Sequence, residues 1–326
     1  MGDKTKIEWT DATWNPLRGC SRVSDGCRNC YAESVAHRFS GPGMPYEGLT
    51  RIVNGHPAWT GEIRLVPELL DQPLRWKRPR RIFVNSMSDL FHENVPDSFI
   101  DRVFAVMWAC HFCDGGQSKH VFQILTKRAQ RMRDYLKQDR RENWARAAVN
   151  IAGKSDPDGL FDDIANAQGS HPRIWLGVSV ENQATADERI PLLLETPAAV
   201  RWISAEPLLS PMSFVVPFDG ATVNAFRGAL PGIPRLDWVV AGGESGPHAR
   251  PSHPDWFRPL RDQCKEAGVP FLFKQWGEWA PRHDLQAADL AGKEWHTFDP
   301  DTSVCRVGKK AAGRLLDGVQ HDEYPE

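Results

Sequence analysis

The chain has 326 residues, with 40 Lys and Arg against 42 Asp and Glu, 41% hydrophobic residues and seven cysteines. That near-neutral balance excludes a whole-molecule field drawing in a polyanion, so attraction to nucleic acid has to come from local patches. No apolar run approaches a membrane span, Met1-Gly-Asp-Lys is no signal peptide, and an odd cysteine count with a clustered triplet fits a reducing compartment, so the expected location is the cytoplasm.

Short β-branched apolar runs alternate with helix-like stretches, the pattern of parallel βα units. In chain order the predicted strands are Ala12 to Leu17, Ile63 to Val66, Arg81 to Asn85, Val121 to Leu125, Ile174 to Val180, Val200 to Ser204, Leu236 to Ala241 and Pro270 to Phe273. Predicted helices run from Val95-Pro96-Asp97 through Val106, from Lys127 to Lys137, from Ala184 to Leu194, and from His253-Pro254-Asp255 to a stop at Gly268. About eight units predict a parallel (β/α) barrel, full or partial TIM-type, over residues 1–276, with 277–326 as a small cap or β-ribbon packed on it. Three stretches break the repeat. Residues 40–60 read as a loop or lid, 139–172 as a charged surface insertion, and 210–235 as a second loop-rich insertion.

The loop after the first strand carries Cys20-x6-Cys27-x2-Cys30, three thiols within eleven residues. Such a triplet can converge on a soft metal: zinc, with a fourth ligand from His37 or from Cys110 and Cys113, or an iron–sulfur cluster with one iron left open. Unliganded buried cysteines are the third alternative. Cys110 and Cys113, at i and i+3 of a helix-like run, read as packed, and Cys264 and Cys305 have no cysteine neighbour.

Six successive strands end in polar groups. Asn85-Ser86-Met87-Ser88-Asp89 follows the third and Thr126-Lys127-Arg128 the fourth; Ser179 to Asn182 ends the fifth, and Ala205-Glu206-Pro207 follows the sixth. Gly242-Gly243-Glu244-Ser245 follows the seventh and Lys274-Gln275-Trp276 the eighth. In a parallel barrel these positions share the rim where active sites lie. Glu181, Glu206 and Glu244 would also suit a carboxylate-based TIM-barrel hydrolase, and a zinc-stabilised nucleic-acid-binding protein without catalysis is a third class. Basic runs at Arg75, Lys77, Arg78, Arg80 and Arg81, and at Lys127, Arg128, Arg131 and Arg133, with Trp76, Trp108 and Trp276 for stacking, suggest a nucleic acid or nucleotide substrate.

A cysteine triplet just after a first strand, followed by a helix and a parallel barrel, resembles the radical S-adenosylmethionine superfamily. More narrowly, Ile7-Glu8-Trp9-Thr10-Asp11, Trp14-Asn15-Pro16, Cys30-Tyr31-Ala32-Glu33, Phe83 to His92, Gln123 to Arg128 and Val307 to Gly318 look like a phage-associated three-Cys-motif family of uncharacterised function. The superfamily resemblance implies a 4Fe–4S cluster on Cys20, Cys27 and Cys30, S-adenosyl-L-methionine as cofactor, and a 5′-deoxyadenosyl radical as its product. It also implies an electron donor such as flavodoxin or ferredoxin. Two departures stand out: six residues where three usually separate the first two cysteines, and Asn29 in place of an aromatic before the last. Gly242-Gly243-Glu244 follows a late strand, so the superfamily's methionine-binding motif does not transfer to it. Rim position instead nominates Ser86, Ser88, Asp89, Lys127, Ser179 and Glu181 for cofactor binding, and Glu206, Glu244 and Lys274 for the substrate end.

Overall fold

In the computed structural model, which describes residues 5–112, 120–153, 156–227, 234–285, 290 and 292–326, seven strands form one sheet whose order follows the chain. They are β1 (Ala12–Trp14), β2 (Arg81–Val84), β3 (Val121–Thr126), β4 (Ile174–Ser179), β5 (Val200–Ala205), β6 (Trp238–Gly242) and β7 (Phe271–Gln275). The pairs β1–β2, β2–β3, β5–β6 and β6–β7 are parallel. Sequential order means each strand returns beside its predecessor, the winding of (β/α) repeats and not of a doubly wound sheet. Every residue of β4 and β6 is buried, as near-continuous apolar runs in a sheet covered on both faces should be.

The helices are α1 (Tyr31–Arg38), α2 (Asp97–Phe112), α3 (Ala129–Leu136), α4 (Arg141–Ala152), α5 (Pro157–Ala165), α6 (Gln183–Leu194) and α7 (Pro254–Ala267). Helix α7 shows why these segments start and stop where they do. His253 Nδ1 accepts the Asp255 N–H at 3.0 Å, Pro254 occupies the first turn, and Gly268 closes the helix at φ 65°. No helix among the described residues is long and apolar enough to cross a membrane.

The chain divides into two compact units: Met1–Arg22, Ala32–Gly177 and Glu195–Val200 in the first, and Val23–Tyr31, Val178–Leu194 and Arg201–Glu326 in the second. The first has a core that includes Trp14, Ile82, Val84, Phe104, Phe122 and Trp144; the second buries Trp202, Ile203, Trp238, Val240, Phe257 and Phe273. Ten of the thirteen tryptophans are buried, so most of them serve the core.

One expected strand is corrected, and the stretches between the repeats take definite form. Ile63 to Val66 is no sheet strand: Arg64–Leu65 pairs antiparallel with Leu17–Arg18, which leaves seven strands and not eight. The seven strands make a half-barrel, the partial form of the expected fold, and the outer edge of β7 is taken by the chain's own tail, with Leu272 bridged to Asp322 and Phe273 N–H donating to the His321 carbonyl at 3.0 Å. The expected loops at 40–60 and 210–235 each contain a hairpin, Thr50–Val53 with His56–Trp59 and Val215–Phe218 with Ala221–Asn224. Asn54-Gly55 and Asp219-Gly220 turn them with all four residues at positive φ, which suits the strand twist. The expected surface insertion at 139–172 holds α4 and α5, whose Trp144, Ala145, Ala148, Leu160 and Ile164 are buried beneath the charged outer face. The expected cap at 277–326 contains an antiparallel three-stranded ribbon, Trp279–Pro281, Ser303–Arg306 and Trp295–Thr297, within the second unit. Met1 to Lys4 and Cys113 lie outside the described residues.

Candidate functional site

In the first unit the cysteine loop begins just past β1. Gly19 stands at φ 93°, and a Cβ there would lie 2.2 Å from the Glu62 carbonyl oxygen, so the turn that delivers Cys20 requires glycine. Asn15 and Ser86 exchange side-chain hydrogen bonds at 3.2 and 3.3 Å, and Ser88 Oγ donates to the Leu17 carbonyl at 3.0 Å. Ser86 and Ser88 thereby tie the segment after β2 to the start of the cysteine loop.

Asp89 is buried and accepts four hydrogen bonds: Thr126 Oγ1 at 2.7 Å, Phe91 N–H at 3.0 Å, Lys127 N–H at 3.2 Å and Arg128 Nη1 at 3.0 Å. Arg128 also donates to Glu93 at 2.8 Å and to Ser21 Oγ at 2.7 Å, and its Nη1 stands 3.8 Å from Cys20 Sγ. Burial opposes the charge on Arg128, but Asp89, Cys20 and Glu93 outweigh it and hold the guanidinium protonated above its ordinary range. Burial would likewise raise Glu93, yet the Arg128 hydrogen bond brings its carboxyl down to about 2. His92, fully buried, lies 2.9 Å from Ser21 Oγ through Nε2 and accepts the Asn94 N–H through Nδ1. Lys127 was the cation expected here. The side chain that organises the cluster is Arg128, which sequence position alone did not single out from its neighbour.

Asn85 was also missed as a site residue. It directly follows β2 at φ 65°, is 2% exposed, and neither its amide oxygen nor its amide nitrogen has a hydrogen-bond partner. An orphaned buried polar group costs about 1–3 kcal/mol, and a bound polar ligand would satisfy it. A non-glycine residue before a Ser/Asp-rich strand end gives no sign of positive φ; only the backbone reveals it.

In the second unit the segment carrying Cys27 and Cys30 is anchored on two buried acids. Ser24 Oγ donates to Glu181 Oε1 at 2.5 Å, and a Cβ on Gly26 would lie 2.3 Å from the same carboxylate, so glycine permits the contact. Glu181 is fully buried and paired with Arg189 at 3.1 Å, while Arg189 also donates to the carbonyl of buried Ser179 at 2.8 Å. Asn29 Nδ2 donates to Glu244 at 2.9 Å and to the His248 carbonyl at 2.8 Å. Arg250 grips Glu244 through Nε at 2.9 Å and Nη2 at 2.7 Å, and donates to the Asp25 carbonyl at 2.9 Å. Burial alone would raise Glu244, but its hydrogen bonds from Arg250 and Asn29 hold the carboxyl below the usual range. Asn29, the departure from the superfamily pattern, is therefore an anchor of the cysteine segment.

Glu206 and Lys274, at the ends of β5 and β7, form an ion pair with both carboxylate oxygens 2.8 Å from Nζ, and Gln275 Nε2 adds a third bond at 3.1 Å. Gly242, which ends the intervening β6, would place a Cβ 3.5 Å from both side chains. Gly243 and Gly277 are required by close approach: a Cβ on either would lie 2.0 Å from a backbone carbonyl oxygen, of Trp276 and Glu244 respectively.

The nominated residues thus fall into local groups: Cys20 with Ser86, Ser88, Asp89 and Lys127 in the first unit, and Cys27 and Cys30 with Glu181 and Glu244 in the second. Cys20, Cys27 and Cys30 are half-exposed and in no disulfide, whereas Cys110, Cys264 and Cys305 are buried. Among the described residues no group of three or more His, Cys, Asp or Glu stands preformed around a metal position. The donor chemistry nonetheless suits an iron–sulfur group: three uncrosslinked, accessible thiols on one short loop, with a guanidinium beside the first.

The basic runs are largely engaged within the protein. Arg131 binds the carbonyls of His92 and Val95 and the Asp97 carboxylate, and Arg133 pairs with Asp134 and Glu195. Trp108 and Trp276 are buried, while Trp76 is half-exposed with the Arg80 guanidinium 4.9 Å above its ring. Comparison with curated proteins and with solved structures finds no match. A family model spans residues 4–325, nearly the whole chain, and the protein accordingly belongs to the family described as protein of unknown function DUF5131.

Proposed function

We propose that this chain is a radical S-adenosylmethionine-type enzyme built on a partial (β/α) barrel, with Cys20, Cys27 and Cys30 holding a 4Fe–4S cluster. The observation that carries the reading is the contrast among the cysteines: the three clustered on one loop are half-exposed, and the other described ones are buried. When bound, a cluster with one iron unliganded by protein would supply the electron that cleaves S-adenosylmethionine and yields a 5′-deoxyadenosyl radical. The chain's own contribution is preorganisation. Arg128 beside Cys20 favours the thiolate, and the Glu181 and Glu244 networks fix the Cys27–Cys30 segment. The unpartnered Asn85 amide and the polar run after β2 support a polar cofactor at that strand end. The Glu206–Lys274 pair is our candidate for the substrate end.

Two rival classes receive less support. A carboxylate-based hydrolase needs one raised carboxyl as general acid, yet Glu244 is lowered and Glu181 and Glu206 are each tied to a cation. A zinc-stabilised nucleic-acid-binding protein leaves the buried Asn85 amide unexplained. For the substrate we infer a nucleotide or nucleic acid, supported by the Trp76–Arg80 pair beside exposed Lys77 and Arg78 and by the resemblance to phage-associated proteins. Its electron donor would be a flavodoxin or ferredoxin.

Anaerobic reconstitution with iron and sulfide tests the reading. A brown protein is expected that loses its cluster when Cys20, Cys27 or Cys30 is changed to Ala and retains it in Cys264→Ala. Dithionite-reduced protein should release 5′-deoxyadenosine from S-adenosylmethionine. A colourless zinc protein, or a full cluster in Cys27→Ala, would overturn it.

A further inference from the structure

A cavity lies wholly within the first unit, away from the cysteine loop in sequence. It has a volume of about 330 Å³ and is lined by the facing surfaces of α2 and α4, the end of α3 and the segment before β4. That size sits at the small end of the range for ligand pockets, roughly 300–1,000 Å³. Its walls include an aromatic stack: Trp144 lies 5.0 Å from Phe104 at 15° and 6.2 Å from Trp108 at 25°. His171 meets Trp108 edge-on at 4.6 Å, and the Arg141 guanidinium stands 5.6 Å from the same ring.

Two hydrogen-bond donors in this lining are unused. His171 is 5% exposed, its Nδ1 accepts the Arg173 N–H at 3.1 Å, and its Nε2 is buried without a partner. Since Nδ1 is an acceptor, the neutral ring carries its proton on Nε2, which is therefore a donor. Burial first, and nearby His111 and Arg173 next, hold this imidazole down to about 3, so the ring is neutral under ordinary conditions. Arg141 uses Nη2 on the Gly169 carbonyl at 2.6 Å, while its Nη1 is buried without a partner. Arg141 is also the first residue of α4, and its backbone N–H is taken by Asp139 Oδ1 at 3.4 Å, so the anion site rests on the two side-chain donors and not on the helix end. The other two lining cations are already engaged, Arg140 with Asp101 and Lys137 with Glu195.

We propose that this cavity binds a small planar aromatic carboxylate, its ring against the Phe104, Trp108 and Trp144 wall and its carboxylate accepting from His171 Nε2 and Arg141 Nη1. Aromatic walls supply apolar contact without orientation, and two unused donors in the same lining select an anion. The site needs neither the cluster nor S-adenosylmethionine, so it can be tested on the protein as purified.

Isothermal titration calorimetry of the full chain with sodium indole-3-carboxylate, and with indole and sodium acetate as controls, provides the test. Saturable one-to-one binding of the carboxylate is expected, at least tenfold tighter than indole, because hydrogen bonds to a charged group exceed neutral ones. Arg141→Met and His171→Phe should each weaken carboxylate binding about tenfold or more while leaving indole binding unchanged. If His171→Phe does not fold, as judged by circular dichroism, Arg141→Met at the half-buried helix start decides alone. Absence of saturable heat at millimolar probe, equal affinity for indole and the carboxylate, or undiminished binding in Arg141→Met would overturn the assignment.

Discussion

At the scale of single residues, Arg128 and Asp89 carry the heaviest consequence, because each side chain is only 8% exposed and each is the other's charge partner. Removing one member of a buried pair strands the other, at a cost of about 3–5 kcal/mol. Arg128→Met should therefore lower the denaturant midpoint by a corresponding amount, and Arg128→Lys should restore part of it. The same substitution removes the cation 3.8 Å from Cys20 Sγ. Alkylation of Cys20 by iodoacetamide, followed by mass spectrometry at neutral pH, should slow in Arg128→Met as the thiolate fraction falls. Gly26 offers a separate handle on the second unit. Its Cβ would lie 2.3 Å from the buried Glu181 carboxylate, so Gly26→Ala should displace the Cys27 segment and reduce iron retained per chain after reconstitution, while Gly41→Ala, whose Cβ would meet only the Met44 side chain at 3.5 Å, should leave iron content unchanged.

Strand ends and the helices packed on them show how elements deliver these residues. Gly243 lets the chain leaving β6 pass under Trp276, and any Cβ there meets a backbone oxygen at 2.0 Å that cannot swing aside. Gly243→Ala should therefore cost stability, lowering the melting temperature by several degrees, and misplace the adjacent Glu244 that anchors Asn29. In the first unit α4 is held to α2 by Trp144, whose indole N–H also donates to Tyr135 Oη at 2.9 Å. Trp144→Ala should cost about 3–5 kcal/mol in equilibrium urea unfolding. A loss under 1 kcal/mol would show that α4 is a loosely attached insertion.

For the molecule as a whole, acid sensitivity follows from its histidines. His92, His111, His120, His171 and His321 are all held below the ordinary histidine value, with burial the first cause in each. An unfolded chain binds protons at these sites near pH 6.5, whereas the folded one resists them, so between the two ranges the unfolded state holds more protons and stability rises with pH. The stabilisation is complete above about pH 6.5 and is lost as pH falls; for His171 the loss extends to about pH 3. Urea midpoints measured from pH 8 down to pH 4 should fall most steeply below pH 6.5, and His171→Phe should flatten that slope. A midpoint independent of pH over this interval would contradict the burial of these rings. Glu93 and Glu244, both lowered, add a second loss at more acidic pH as their carboxylates protonate.

What could be read from the chain alone is set by local pattern. Apolar β-branched runs mark seven of the strands, and cap signals such as His253-Pro254 with Gly268 mark α7 almost to the residue, since propensity and capping act within a few residues. The cysteine triplet was equally visible, as spacing is a property of sequence. The two hairpin turns were legible in Asn54-Gly55 and Asp219-Gly220 but were passed over in favour of the Gly and Pro content around them. Other features depend on partners far away in the chain and could not be read locally. Asn29 binds Glu244 across 215 positions, Ser24 binds Glu181 across 157, and Arg128 reaches Cys20 across 108. The tail takes the edge of β7 because backbone donors on a sheet edge accept whichever segment arrives with its carbonyls in register, and that is decided only when the chain is folded.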